Sequence, residues 1–384
     1  MEFIQKLHRH SVEVILKNQS QTGAYFASPN FNSYTFSWLR DGSFIAHAMD
    51  CAGEYDSARA FLLWVNRTIC RYESKVPHLE HALQNGLPLK DGDFLHTRFT
   101  ADGDEVTVDK DWGNFQPDGY GTWLWALEEH IKLHDDQDLL DQVREGVAIT
   151  VRYLSLVWDL PNFDCWEEHP EYVHPYTLGA IYAGLCSAAR LAQRFSPALD
   201  TAEIERVADQ IKAYVLNYAV VDGLVTKHVE PQKDGSQPKG MPEAGVDSSL
   251  MGLVVPFNLF DIEDACSIVV LDKIETDLHR PDGGVYRYLR DTYFGGGEWV
   301  LLSCWLGWCY ARQNQHKKAQ QLLQWVVDQA DEEMNLAEQV STHTLHPEYL
   351  KPWQEKWGQI ANPLLWSHAM FLILEKELAL VKEI

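Results

Sequence analysis

The segment Asp164-Cys165-Trp166-Glu167-Glu168-His169-Pro170 sets two adjacent carboxylates beside a tryptophan. Two neighbouring carboxylates are not both comfortable when ionised in a dry site. Contact with Trp166 and repulsion from the neighbour raise the pKa of one and keep it protonated near neutral pH, as a general acid requires. The plainer reading is an acidic pair at a helix N-terminus, favoured by the macrodipole. A second carboxylate, Glu338, stands in Asn335-Leu336-Ala337-Glu338-Gln339-Val340, after the acidic run Asp331-Glu332-Glu333. Cleavage of a glycosidic bond with inversion needs such a base on the opposite face of the sugar. The two carboxylates then stand roughly 6.5–9.5 Å apart with a water between them. Gln339 is placed to hold that water. Taken alone, Glu338 reads first as a solvated surface carboxylate.

Upstream, Tyr34-Thr35-Phe36-Ser37-Trp38-Leu39-Arg40-Asp41-Gly42 puts an Arg-Asp pair behind aromatic residues at the start of a helical run. Arg donates and Asp accepts in fixed geometries, so the pair suits two neighbouring sugar hydroxyls while a ring covers the sugar's C–H face. An Asp N-cap with a structural Arg is the alternative. Trp112-Gly113-Asn114-Phe115-Gln116-Pro117-Asp118, Arg287-Tyr288 ahead of Asp291-Thr292-Tyr293, and Leu364-Leu365-Trp366-Ser367-His368 repeat the style. Tryptophans in polar loops beside Asp and Arg are candidates for a saccharide pocket.

Other chemistries find less support. His78-Leu79-Glu80-His81 and His343-Thr344-Leu345-His346 do not match HExxH, so no metal site is assigned. Asp102-Gly103-Asp104 lacks the rest of a calcium loop. Gly295-Gly296-Gly297 follows no strand and has no Lys-Ser/Thr, and GxSxG is absent. Two carboxylates and a water need no cofactor.

Apolar residues recur at helical spacing in about twelve segments, near 2–18, 41–52, 55–71, 118–134, 136–158, 175–194, 201–217, 246–258, 261–274, 297–312, 315–330 and 363–381. The connections 19–40, 73–117, 159–174, 222–245, 275–296 and 331–362 hold the Trp, Gly, Asp and Glu-rich stretches. Six such loops between helix pairs predict an all-α barrel of paired helices whose loops gather at one face, where sites tend to lie. No linker or repeat divides the chain, so residues 1–384 are expected to form one domain.

With 56 acidic against 32 Lys and Arg residues, the formal charge is -24. Such a surface repels nucleic acid and anionic lipid and favours a neutral substrate. Seven cysteines without a CxxC pair fit a reducing compartment. The beginning Met1-Glu2-Phe3-Ile4-Gln5-Lys6 has neither a basic n-region nor an apolar h-region, and no stretch approaches a membrane span. The protein is expected to be cytoplasmic.

Taken in order from Tyr34 to Ala369, these segments resemble glycoside hydrolase family 15, the glucoamylase family. The resemblance implies an (α/α)6 barrel, matching the helix count. Many members of the family carry an N-terminal β-sandwich or a starch-binding domain, and neither is expected here because the chain begins close to its first motif. It implies that Glu167 is the general acid, Glu338 the general base, and Glu168 a sugar ligand. Arg40 and Asp41 would bind the terminal glucose, with Arg287 as a further ligand. Tyr34, Trp38, Trp112, Trp166 and Trp366 would line its subsite. The expected reaction is inverting release of β-glucose from the non-reducing end of short α-glucosides. Compact members that act on isomaltose are similar in length, so α-1,6 links are expected ahead of α-1,4. An α,α-trehalase of the same family has the same chemistry. Phosphorolysis on a similar barrel, and a saccharide-binding protein without catalysis, are the more distant alternatives. After Glu168 the chain departs from the fungal pattern at Tyr172-Val173-His174-Pro175-Tyr176, and again at Ser367-His368.

Overall fold

A computed structural model describes residues 2–107, 112–195, 200–232 and 236–380. Among the described residues thirteen α-helices follow in order: α1 (Glu2–Lys17), α2 (Leu39–Ala52), α3 (Tyr55–Arg71), α4 (Lys75–Gln84), α5 (Asp118–His134), α6 (Gln137–Val157), α7 (Pro175–Ala192), α8 (Thr201–Tyr214), α9 (Ala265–Asp277), α10 (Val300–Arg312), α11 (His316–Asp328), α12 (Leu350–Trp357) and α13 (Leu365–Leu380). A 3-10 segment, Ser248–Leu253, lies between α8 and α9.

Hydropathy sorts these elements into two layers. Helices α2, α7 and α10 bury nearly every residue, as helices surrounded on all sides must. Helices α1, α3, α6, α8 and α11 bury one stripe and expose the rest. The inner elements touch in a closed ring, α13 to α2 to α5 to α7 to Ser248–Leu253 to α10 and back to α13. An outer helix precedes each inner one, in the pairs α1–α2, α3–α5, α6–α7, α8 with Ser248–Leu253, α9–α10 and α11–α13. The architecture is an (α/α)6 barrel, as the sequence predicts.

Close approach in the ring depends on glycine. A Cβ on Gly121 of α5 would fall 2.3 Å from the Ala180 carbonyl of α7, and one on Gly184 of α7 would lie 2.6 Å from Gly121 Cα. The helix expected over 246–258 is corrected to the short Ser248–Leu253 turn. Pro256 lacks an N–H and disfavours helical geometry in the residue before it, so the chain cannot continue as α-helix. Helices α4 and α12 lie inside connections expected to be loops, and the 261–274 helix begins later, at Ala265. All seven cysteines are unpaired. Among the described residues no helix is long and apolar enough to cross a membrane.

Candidate active site

Site residues sit on the segments that lead into the inner elements. Arg40 and Asp41 occupy the first turn of α2, and Asp118 opens α5. Glu167 and Glu168 precede α7, Asp247 caps Ser248–Leu253, Trp299 precedes α10, and Trp366 is the second residue of α13. Helix N-termini carry partial positive charge, so this placement favours the carboxylates gathered there. The segments enclose a cavity of about 320 Å³ lined by Tyr34, Trp38, Arg40, Asp41, Trp112, Trp166, Glu167, Glu168, Arg287, Glu338 and Trp366, together with Tyr293, Trp299, Trp353, Lys356 and Trp357. Its size and aromatic lining suit a small ligand held by a few polar groups.

Glu167 is set by a tight turn. Asp164 Oδ1 accepts the backbone N–H groups of Trp166 and Glu168, each at 2.9 Å, and the Glu167 N–H donates to the Asp164 carbonyl at 2.9 Å. Glu167 thereby adopts φ +68°, a left-handed conformation that costs a non-glycine residue about 1–3 kcal/mol and persists only where surroundings impose it. Its Oε1 accepts from Trp38 Nε1 at 2.7 Å and from Gln116 Nε2 at 3.0 Å. Both donors use one oxygen, so the other remains to carry a proton.

Glu338 is buried on a second loop, its N–H bonded to the Ala361 carbonyl and its carbonyl to the Val300 N–H. Tyr34 donates to its Oε1 at 3.2 Å, while Oε2 makes no hydrogen bond to described residues. Burial pushes this carboxyl up to about 8, against the pull of Arg287 and of the hydrogen bonds from Tyr34 and Tyr293. Tyr34 and Tyr293 share a hydroxyl contact of 3.0 Å, and the Tyr34 ring stands edge-on to Trp38 at 5.7 Å. The two carboxylates therefore stand at opposite ends of a Tyr34–Trp38 aromatic bridge.

The hydroxyl-binding candidates line the same cavity. Arg40 Nη1 donates to Gln116 Oε1 at 3.0 Å and pairs with Asp118 at 3.1 Å, and its Nε lies 3.6 Å from Asp41. Burial raises the Asp41 carboxyl to about 6 in spite of Arg40. Arg287 is clamped by Asp291, with Nε to Oδ2 at 2.7 Å, and reaches Glu168 at 3.6 Å. Its guanidinium sits 5.1–5.4 Å from the ring centres of Trp166, Tyr288, Tyr293 and Trp299, within reach of cation–π attraction to each.

Gln339 is placed elsewhere. It is buried, accepts from the Gly297 N–H at 2.8 Å and donates to the Tyr293 carbonyl at 3.2 Å, so its amide ties two loops together and does not line the cavity. Ser367 and His368 likewise face the Glu338 loop. Ser367 Oγ donates to the Ala337 carbonyl at 2.8 Å, and His368 Nε2 accepts the Leu336 N–H at 3.0 Å. Gln116, Asp118 and Tyr293 belong to segments flagged in the sequence without a role. Within the Trp-rich connection 331–362 the sequence reading gives no role to α12, which brings Trp353, Lys356 and Trp357 to the cavity.

Among the described residues, Asp50, His130 and His134 are spaced as metal ligands could be. Both imidazoles lie 2.9–3.0 Å from Asp50, the distances of hydrogen bonds, and the group reads as a tie between α2 and α5. The His78/His81 and His343/His346 pairs form no such group among the described residues.

A closed ring of paired helices, with a carboxylate-rich aromatic cavity at the N-terminal ends of its inner layer, defines a class of carbohydrate-processing enzymes. The profile of glycosyl hydrolases family 15 matches residues 6–375. The chain is 40% identical over 380 residues to the isomaltose glucohydrolase of Kribbella flavida, covering 98% of this chain and 94% of that one. A solved glycosidase in complex with glucose superposes with a TM-score of 0.90 at 40% identity, over 99% and 98% of the two chains. The glucoamylase of Saccharomycopsis fibuligera shares the fold at a TM-score of 0.72 and 16% identity, over 99% and 96%. The chain belongs to glycoside hydrolase family 15 and is a glycoside hydrolase.

Proposed function

We propose that this enzyme is an inverting, exo-acting α-glucosidase that releases β-glucose from the non-reducing end of short α-glucosides, isomaltose first among them. The observation that carries the reading is the pair of carboxylates, Glu167 and Glu338, brought from separate loops to one small cavity and held by the Tyr34–Trp38 bridge. Glu167 protonates the glycosidic oxygen. Glu338 takes a proton from the water that attacks the anomeric carbon from the other face, through an oxocarbenium-like transition state. Arg40, Asp41, Glu168 and Arg287 hold the hydroxyls of the terminal glucose, and Tyr34, Trp38, Trp112, Trp166 and Trp366 enclose it. The α-1,6 preference rests on the named activity of the Kribbella flavida relative.

The test is a glucose-release assay on isomaltose, maltose and trehalose side by side, with Glu338→Gln and Glu167→Gln as controls. Isomaltose is expected to give the highest kcat/KM, and both variants to lose activity by at least about 10²-fold. A preference for trehalose would move the assignment to an α,α-trehalase. Sugar binding without turnover in the wild type would leave only a saccharide-binding protein.

A further inference from the structure

Lys227 lies outside every motif that carries the family resemblance, and it is almost fully buried. It reaches the acid loop through a two-way backbone bridge, Val229 N–H to Val173 carbonyl at 2.9 Å and Val173 N–H to Val229 carbonyl at 3.0 Å. Its Nζ pairs with Asp247 Oδ2 at 3.0 Å and stands 3.3 Å above the centre of the Tyr288 ring. Asp247 in turn accepts from Trp166 Nε1 at 3.0 and 3.1 Å, and Tyr288 donates its hydroxyl to Glu168 Oε2 at 2.5 Å.

We infer that Lys227 is a positioning residue for the acid: one buried ammonium, acting through Asp247 and Tyr288, fixes Trp166 and Glu168, the two residues that flank Glu167. The inference rests on the reading of Glu167 as general acid.

The physical need is visible in the loop. Glu167 sits in a left-handed backbone conformation that relaxes if its neighbours are free. Asp164 holds the backbone of the turn, but nothing in that turn fixes the Trp166 and Glu168 side chains. Asp247 is completely buried, and a carboxylate there needs a cation beside it. Lys227 supplies that charge, while its contact with the Tyr288 ring joins the second arm. Burial works against the ammonium, yet Asp247, Asp164 and Glu168 together hold its pKa above the ordinary lysine value. It stays charged throughout the working range.

Lys227→Met keeps the stem and removes the charge. Two substrates separate positioning from plain stability: isomaltose, whose leaving oxygen must be protonated, and α-glucosyl fluoride, whose fluoride departs without help from an acid. The expected result is a fall in kcat on isomaltose of roughly 10- to 100-fold, as for a small misplacement of a reacting group, with a clearly smaller loss on the fluoride, because both substrates share the glucose contacts of Trp166 and Glu168 and only isomaltose also needs the acid. Lys227→Arg should recover part of the loss, and Asp247→Asn, which keeps an acceptor for Trp166, should show the same split between substrates. Equal losses on both substrates, accompanied by a lower melting temperature, would reduce Lys227 to a structural residue and overturn the inference. So would unchanged isomaltose turnover in the folded variant. Wild-type protein inert toward both substrates would remove the glucosidase reading itself, a failure visible before any substitution is made.

Discussion

As the proposed base, Glu338 has to be ionised, and its burial opposes that. With the carboxyl pushed up to about 8 by burial, its protonated fraction grows as pH falls through that region, so kcat/KM should fall in the same direction. Tyr34→Phe removes a hydrogen bond that favours the carboxylate and should move this limb to higher pH, measured by kcat/KM profiles on one substrate. A limb that stays in place or moves to lower pH would contradict the role given to the tyrosine hydroxyl. At this scale the sequence was informative wherever charge and aromatic residues fell together, as at Arg40-Asp41 and Trp166-Glu167-Glu168. It gave no role to Gln116 and Tyr293 and did not mark Lys227, whose uses depend on partners 51, 45 and 20 positions away in Glu167, Glu338 and Asp247. Gln339 shows the opposite error. A polar side chain beside the proposed base looks like a water holder, but an amide offers both a donor and an acceptor, and two backbone groups of one neighbouring loop, at Gly297 and Tyr293, already take them.

Helices α5 and α7 meet at Gly121 and Gly184, and that contact sets the spacing of the inner ring beneath the acid loop. Gly184→Val would drive a side chain into the α5 backbone. It should destabilise the protein by about 1–3 kcal/mol or more, read from chemical denaturation, because backbone cannot step aside as a flexible side chain can. A variant as stable as wild type would mean that the two helices separate freely. The helix pattern was legible because the buried and half-buried helices have long apolar periods that no other element imitates. Failures came where the period was short or interrupted. Pro256 cut one apolar run into a 3-10 turn, while α4 and α12, at 10 and 8 residues, had polar sequences that read as loop. The second of these misses matters for function, since α12 walls the cavity with Trp353 and Trp357.

Over the whole molecule, the same burial that tunes the site works against stability. A carboxyl raised from the ordinary 4.5 to about 8 stabilises the folded state relative to ionisation only while it holds its proton. Its contribution is fully present below about 4.5 and is lost as pH rises through about 8. Glu338→Gln, neutral at every pH, should therefore melt above the wild type at pH 8–9, with the gap closing toward pH 4.5. Equal melting temperatures across that range would show that the fold carries no cost for burying Glu338. The ring of six inner elements brings the carboxylates together, and the two-layer fold keeps the cavity small enough for a short saccharide. The most direct test of the account follows the anomeric protons by NMR while the enzyme hydrolyses isomaltose. The account predicts that β-glucose appears first and converts to the α form only by mutarotation. Initial release of α-glucose would contradict it, because a water activated by Glu338 on the face opposite Glu167 can give only the inverted product.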